Sequence, residues 1–166
     1  MPKQPQNSPL TIINHEFTVI ELSASSSSNP TGELELNTDV NVGIHSEDPL
    51  LRSCELSVAF GSAAKDRPAP YTGKITINGQ FQIAENYAEH RRQQLIEVTA
   101  ISILYGACRE MLANLTARSS HGLLSLPSVS FFDPNSSTAK KVAKKTVKKV
   151  AKKTVKKAAH KKPPKS

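Results

Sequence analysis

A chain of 166 residues with 37% apolar side chains has room for one domain of ordinary size and an appendage. Its formal charge of +8 is unevenly placed: all 14 acidic residues lie at or before Asp133, while 13 of the 22 basic residues lie at or after Lys140. The body carries nine basic against fourteen acidic residues, a net of −5, so the overall isoelectric point describes neither the body nor the cationic tail.

Met1–Leu10 is polar and holds Pro2, Pro5 and Pro9, unlike a signal peptide. Residues 1–14 read as a flexible leader. A first short strand follows from His15, with Phe17, Val19 and Leu22 alternating and Ile20 blurring the pattern. Ser25–Gly32 has turn chemistry. Next, Leu34, Leu36, Val40, Val42 and Ile44 alternate with Glu33, Glu35, Asn37, Asp39, Asn41 and Gly43, which predicts a long half-buried strand.

After a loop at Ser46–Arg52, Cys54, Leu56, Val58 and Phe60 alternate in a third strand. Pro68 and Pro70 exclude a central strand over Ala63–Thr72. Ile75, Ile77, Phe81 and Ile83 make a fourth, in which Gly79 marks a bulge or a close approach of backbone. Four successive strands joined by short connections pair antiparallel. One face of the sheet is apolar and the other polar.

Asn86–Gln94 leads into a helix expected from Glu97 to about Arg118. Ile101, Leu104, Cys108, Met111 and Leu115 stand three and four apart, with Tyr105 and Leu112 beside them, and predict the face that packs on the sheet. Ser119, Ser120, His121 and Gly122 break the helix. The apolar segment Leu123–Phe132 has no clear period and is open between strand, extended arm and short helix. The fold class is therefore α+β: a four-stranded antiparallel sheet covered on one face by a long helix and a C-terminal apolar segment or short helix.

Catalytic chemistry has no footing in this pattern. His15, His45, His90, His121 and His160 are scattered without a nucleophile or carboxylate at motif spacing. There is no phosphate loop, zinc spacing or nucleotide fingerprint, so the expectation is a protein that is not an enzyme and has no cofactor or metal. Cys54 and Cys108 read as reduced core thiols. The longest apolar-leaning run, Val98–Cys108, is short of the roughly 20 residues that span a bilayer, and a cytoplasmic protein is expected.

Three stretches resemble the SecB export chaperones. Ile103-Leu104-Tyr105-Gly106-Ala107-Cys108-Arg109-Glu110 is similar to the family's Ile/Leu-Leu-Phe-Pro-Tyr-Ala-Arg-Glu, and Leu115-Thr116-Ala117-Arg118 to its helix end. Leu124-Ser125-Leu126-Pro127-Ser128-Val129-Ser130-Phe131 is similar to its Leu-x-Leu-x-Pro-Val-Asn-Phe. Gly106 stands where the family has proline, and Ser119-Ser120-His121-Gly122 replaces its Gly-Gly/Thr-Phe-Pro. The resemblance covers about His15–Asp133 and implies a SecB-like domain at 15–134. It also implies a tetrameric holdase for unfolded polypeptide clients, with SecA as a possible partner at an acidic sheet surface that Glu33, Glu35 and Asp39 would serve.

Tyr105, Leu123, Leu124 and Phe131 flank the helix break and are candidates for the walls of a client groove, against the plainer reading that they are core. Leu124→Asp is expected to weaken client binding in a folded domain on the first reading and to unfold the domain on the second.

Residues 135–166 hold two copies of Lys-Lys-Val-Ala-Lys-Lys-Thr-Val, at 140–147 and 148–155. Lys140, Lys141, Lys144, Lys145, Lys148, Lys149, Lys152, Lys153, Lys156 and Lys157 make a low-complexity tail that is expected to be disordered. It resembles linker-histone tails and is expected to bind a polyanion such as nucleic acid. The lysine spacing leaves open DNA, RNA, lipid headgroups or the acidic body itself. An alternative function follows: a nucleic-acid or nucleoid-associated protein that uses the SecB-like fold as an oligomerisation core.

Overall fold

The computed structural model describes residues 8–132, and the chain divides between Phe132 and Asp133 into two units. The first contains β1 (Leu10–Ala24), β2 (Leu34–Ile44), β3 (Leu51–Ser62) and β4 (Tyr71–Ile83), then α1 (Glu89–Gln94), a π-helical turn (Leu95–Ala100) and α2 (Ile101–Thr116). All strand pairs are antiparallel and the sheet order is β1-β4-β3-β2. The fold is α+β, a sheet with one helix packed on it. Residues 122–132 carry no regular structure and form an arm whose burial alternates at its start, with Leu124 and Leu126 inside and Leu123 and Ser125 outside.

Register assigns the faces. Leu56 pairs with Ile77 and with Val40, and Val58 with Ile75 and with Thr38, so these side chains share the helix side of the sheet. The helix runs over β3 and β4. Its weight falls on Leu56, Val58, Ile75, Ile77 and Phe81, all fully buried. Each such side chain contributes about 1.5–3 kcal/mol relative to exposure.

β1 begins at Leu10, inside the stretch read as leader. Leu10 is buried against this core, and the Pro9 carbonyl accepts the Ala84 N–H at 2.9 Å. The blurred alternation has a cause, because the β1–β4 register shifts between Ile12 and Asn14 and again between Phe17 and Val19. Phe17 and Ile20 are three apart, yet they pair with Ile77 and Ile75, two apart on β4, so an extra residue puts both on the helix side. No shift interrupts β4 at Gly79, where a Cβ would meet Phe81 at 2.7 Å and Leu104 at 2.8 Å. Of the two roles open for Gly79, the structure selects close approach.

The helix starts at Glu89, eight residues earlier than its apolar spacing predicts. Ile96 and Ile101 are both fully buried, and Leu95 and Ala100 are both buried, each pair five apart. Five residues of α-helix rotate by about 140° and would set such a pair on different sides. The π-helical turn, with i to i+5 hydrogen bonding, brings them to one side. The far end also departs from expectation: Leu115 is 46% exposed, and Thr116 takes the buried place. Among the described residues no helix is long and apolar enough to cross a membrane.

Candidate functional site

Four strands at about 4.8 Å spacing make a sheet nearly 20 Å wide. One helix, about 10 Å across, covers two of them. The apolar row on the helix side nevertheless continues onto both edge strands, through Ile12, Phe17, Ile20 and Leu22 on β1 and Leu34, Leu36, Val40, Val42 and Ile44 on β2. Ile12, Ile20, Val40 and Ile44 are exposed, Ile44 to 64%. Exposed apolar side chains therefore flank the helix on both sides, with Phe17, Leu22, Leu34, Leu36 and Val42 between them packed partly against the core.

The arm borders this side. Gly122 has φ +75, the left-handed conformation that lets the chain leave the helix. The Tyr71 hydroxyl donates to the Gly122 carbonyl, and the His121 ring packs edge-on against Tyr71 with its Nε2 2.8 Å from the Ser25 carbonyl oxygen. Leu124 N–H donates to Thr116 Oγ1 at 2.7 Å. Farther along, the Tyr105 hydroxyl donates to the Pro127 carbonyl at 2.7 Å, and Phe131 stacks edge-on against Tyr105 with ring centroids 5.7 Å apart. Burial pushes the Tyr105 pKa up, outweighing the opposing pull of the Arg109 charge.

The four candidates from the helix break separate by position. Tyr105 is buried in α2 and Leu124 is 7% exposed, both in the core. Phe131 is half-buried against that core, and Leu123 is 61% exposed. Alternation along the arm explains the contrast between adjacent leucines: its inward side chains pin it, and its outward ones face away.

On the other side of the sheet, Glu35 and Asp39 point away from the helix, in register with Gly61 and Ser57, and Glu33 is exposed just before β2. Glu16, Asn78, Glu55 and Asn41 form one row across all four strands. They contribute to an open cavity of about 320 Å³. Ser57 and Thr76 share a 2.7 Å hydrogen bond beside it. A second cavity, of about 260 Å³, lies at the β2–β3 corner; the strips themselves are identified by their exposed apolar side chains.

Cys54 and Cys108 are free and buried, with burial pushing their pKa values up to about 11 and about 12, so both thiols are protonated and inert at neutral pH. Among the described residues no group of three or more His, Cys, Asp or Glu is placed to hold a metal. Arg52, read as the end of a loop, lies on β3 and is buried. Its even-numbered place with Cys54 and Leu56 was the available signal. The tail residues Lys140, Lys141, Lys144, Lys145, Lys148, Lys149, Lys152, Lys153, Lys156 and Lys157 lie outside the described residues.

No family model matches the chain, and no curated protein matches it. Solved structures do. One is the Mycobacterium tuberculosis SecB-like chaperone Rv1957 in complex with a ChAD peptide from the Rv1956 HigA1 antitoxin, with TM-score 0.55 and 16% identity over 74% of this chain and 88% of that one. Another is a protein of unknown function from Streptococcus agalactiae, with TM-score 0.43 and 10% identity over 72% of this chain and 97% of that one. Four antiparallel strands, one long helix on β3 and β4, and the first of these likenesses together make the fold SecB-like.

Proposed function

We propose that the protein is a holdase-type chaperone that keeps unfolded polypeptide on the apolar strips beside its helix. The observation that carries this reading is the exposed helix-side row of β2, ending at Ile44, with its counterpart Ile12 and Ile20 on β1. A holdase needs loosely specific apolar area that captures extended chain before it aggregates, and these strips have that character. The bound peptide in the structure of Rv1957 supports a polypeptide client. Leu123 and Phe131 extend the client surface from the arm, while Tyr105 and Leu124 hold the arm in place.

The working form is a cytoplasmic homo-oligomer, a tetramer by the SecB resemblance, and SecA docks at Glu33, Glu35 and Asp39 if the protein serves export. The lysine-rich tail at 135–166 supplies attachment to a polyanion. A second reading has one specific observation behind it: the Rv1957 peptide comes from an antitoxin, which favours a chaperone dedicated to one partner protein. If the strips bind no client, activity rests in the tail and the protein is nucleic-acid-associated.

The test is suppression of aggregation of a chemically unfolded protein by the full chain and by a chain ending at Asn135, each at low and moderate salt. Protection by the shortened chain that salt leaves intact supports the holdase, because apolar burial survives screening. Protection that disappears with the tail or with salt overturns it in favour of polyanion binding.

A further inference from the structure

The outer edge of β2 presents a regular row of main-chain groups. The Ala63 N–H donates to the Glu33 carbonyl at 3.0 Å and the His45 N–H to the Leu51 carbonyl at 3.3 Å, which fixes both ends of the β2–β3 ladder. In an antiparallel pair such bonded partners recur at every second residue, and the register between these two ends is unbroken. The odd-numbered residues of β2 therefore turn N–H and C=O toward β3. Leu34, Leu36, Thr38, Val40, Val42 and Ile44 turn theirs outward, and none of these groups has a hydrogen-bond partner among the described residues.

A row of this kind is a template for another strand, and sheets commonly blunt it with proline, lysine or a bulge. β2 has none of the three. At the opposite edge the register of β1 shifts twice, between Ile12 and Asn14 and between Phe17 and Val19, which interrupts its outward row. The two sides of β2 would sort the side chains of an added strand. On the helix side that strand extends the apolar row of Leu36, Val40 and Val42; on the polar side it lies beside Glu35 and Asp39. Opposite charges on neighbouring strands attract and like charges repel. A second copy would bring its own Glu35 and Asp39 to this edge, whereas a strand with Lys or Arg at alternate positions complements it.

We propose that the edge of β2 takes an extended segment of the client as a fifth, antiparallel strand, held by main-chain hydrogen bonds and favoured when apolar and basic residues alternate. The inference rests on the holdase reading and deepens it by naming the mode of capture. Main-chain bonding explains how one surface accepts many sequences. β2 spans about 34 Å, enough for a segment of about ten residues. Bonded partners in antiparallel strands share a face, so the apolar residues of the segment are the ones whose N–H groups meet β2.

The test uses the full chain and dye-labelled peptides of about ten residues alternating leucine and lysine, read by fluorescence anisotropy. One peptide is unmodified, one is N-methylated at its leucines and one at its lysines, so the last two differ only in which N–H groups are lost. Methylation at leucine is expected to weaken binding about tenfold or more, and methylation at lysine to leave it within about twofold. Thr38→Pro, checked for folding by circular dichroism, removes an outward N–H and no bond of the β2–β3 ladder. It is expected to weaken the unmodified peptide about tenfold. Glu35→Gln with Asp39→Asn is expected to weaken the lysine peptide about threefold and to leave a leucine–threonine peptide unchanged.

An equal response to the two methylated peptides overturns strand addition and leaves the holdase reading standing, without reliance on any variant. Undiminished binding to folded Thr38→Pro overturns the assignment to β2. If that variant also sediments as a smaller oligomer than the parent, the edge belongs to a second copy. An unchanged lysine peptide in the Glu35→Gln, Asp39→Asn chain overturns the basic preference. Failure of the unmodified peptides to bind overturns both readings.

Discussion

Thr116 Oγ1 accepts the Leu124 N–H at 2.7 Å while its own proton goes to the Leu112 carbonyl at 2.7 Å, so one fully buried hydroxyl joins the last turn of α2 to the arm. Valine has nearly the same shape but accepts nothing. Thr116→Val is expected to leave the Leu124 N–H buried and unpaired, lowering stability by about 1–3 kcal/mol. Thr116→Ser keeps both bonds and loses a methyl group, about 1 kcal/mol. Urea denaturation distinguishes the two, and faster amide exchange at Leu124 in the valine variant would confirm which bond was lost.

Leu123 and Leu124 test the two faces of the arm. Leu124→Asp puts a carboxylate into the core and is expected to cost about 3–5 kcal/mol or abolish folding. Leu123→Asp replaces an exposed side chain and is expected to shift stability by no more than about 0.5 kcal/mol. On the holdase reading it weakens aggregation suppression. A stable Leu124→Asp chain in thermal unfolding would contradict the packing described.

The strips are addressed by Ile44→Lys and Ile12→Lys. Both positions are exposed, so the unfolding midpoint is expected to stay within about 0.5 kcal/mol of the parent. Client protection falls in the same variants if the strips carry it. Unchanged protection in the double variant would move client binding elsewhere.

Two glycines are expected to respond in opposite directions to alanine. At Gly106, in the exposed middle of α2, a Cβ meets nothing within 4 Å, and Gly106→Ala is expected to stabilise by about 0.5–1 kcal/mol through helix propensity. At Gly79 the added Cβ meets Phe81 and Leu104, and Gly79→Ala is expected to destabilise by about 1–3 kcal/mol through overpacking. Denaturation midpoints of both variants decide.

The buried thiols set a pH dependence. Burial raises Cys54 to about 11 and Cys108 to about 12, against 9.0 for an ordinary thiol, so the folded chain holds these protons more tightly than the unfolded one. That contribution is intact below pH 9 and is lost as pH rises through 11 and 12. Stability is expected to fall on going from pH 8.5 to 10.5, less so in a Cys54→Ala, Cys108→Ala chain compared with its own neutral-pH value. In the native state at pH 8, neither thiol should react with an aromatic disulfide until the domain unfolds.

Where local spacing coincides with burial, the sequence by itself determined the outcome. The period of two over Glu33–Ile44 predicts the strand observed at Leu34–Ile44, because pairing to one neighbour and a single apolar face impose that repeat whatever lies above. The stripe from Ile101 to Leu112 likewise marks the packed face of α2, since a regular helix turns at a constant rate. Strands preceding the helix, with short connections, were enough for an antiparallel α+β fold.

The tertiary structure alone decided whatever depends on a neighbour distant in sequence. Phe17 and Ile20 share a face only because β4 imposes register on a bulged β1, and Ile96 shares one with Ile101 only because packing favours a π-helical turn over the regular period. Leu123 and Leu124 are indistinguishable as residue types until Thr116 and Tyr105 fix which way the arm faces. Arg52 belongs to a core row through its partners Phe81 and Ile44, and the apolar rows of β1 and β2 are open because one helix is narrower than four strands. Alternation reports which side of a strand is apolar; what covers that side is set by the widths and order of the packed elements.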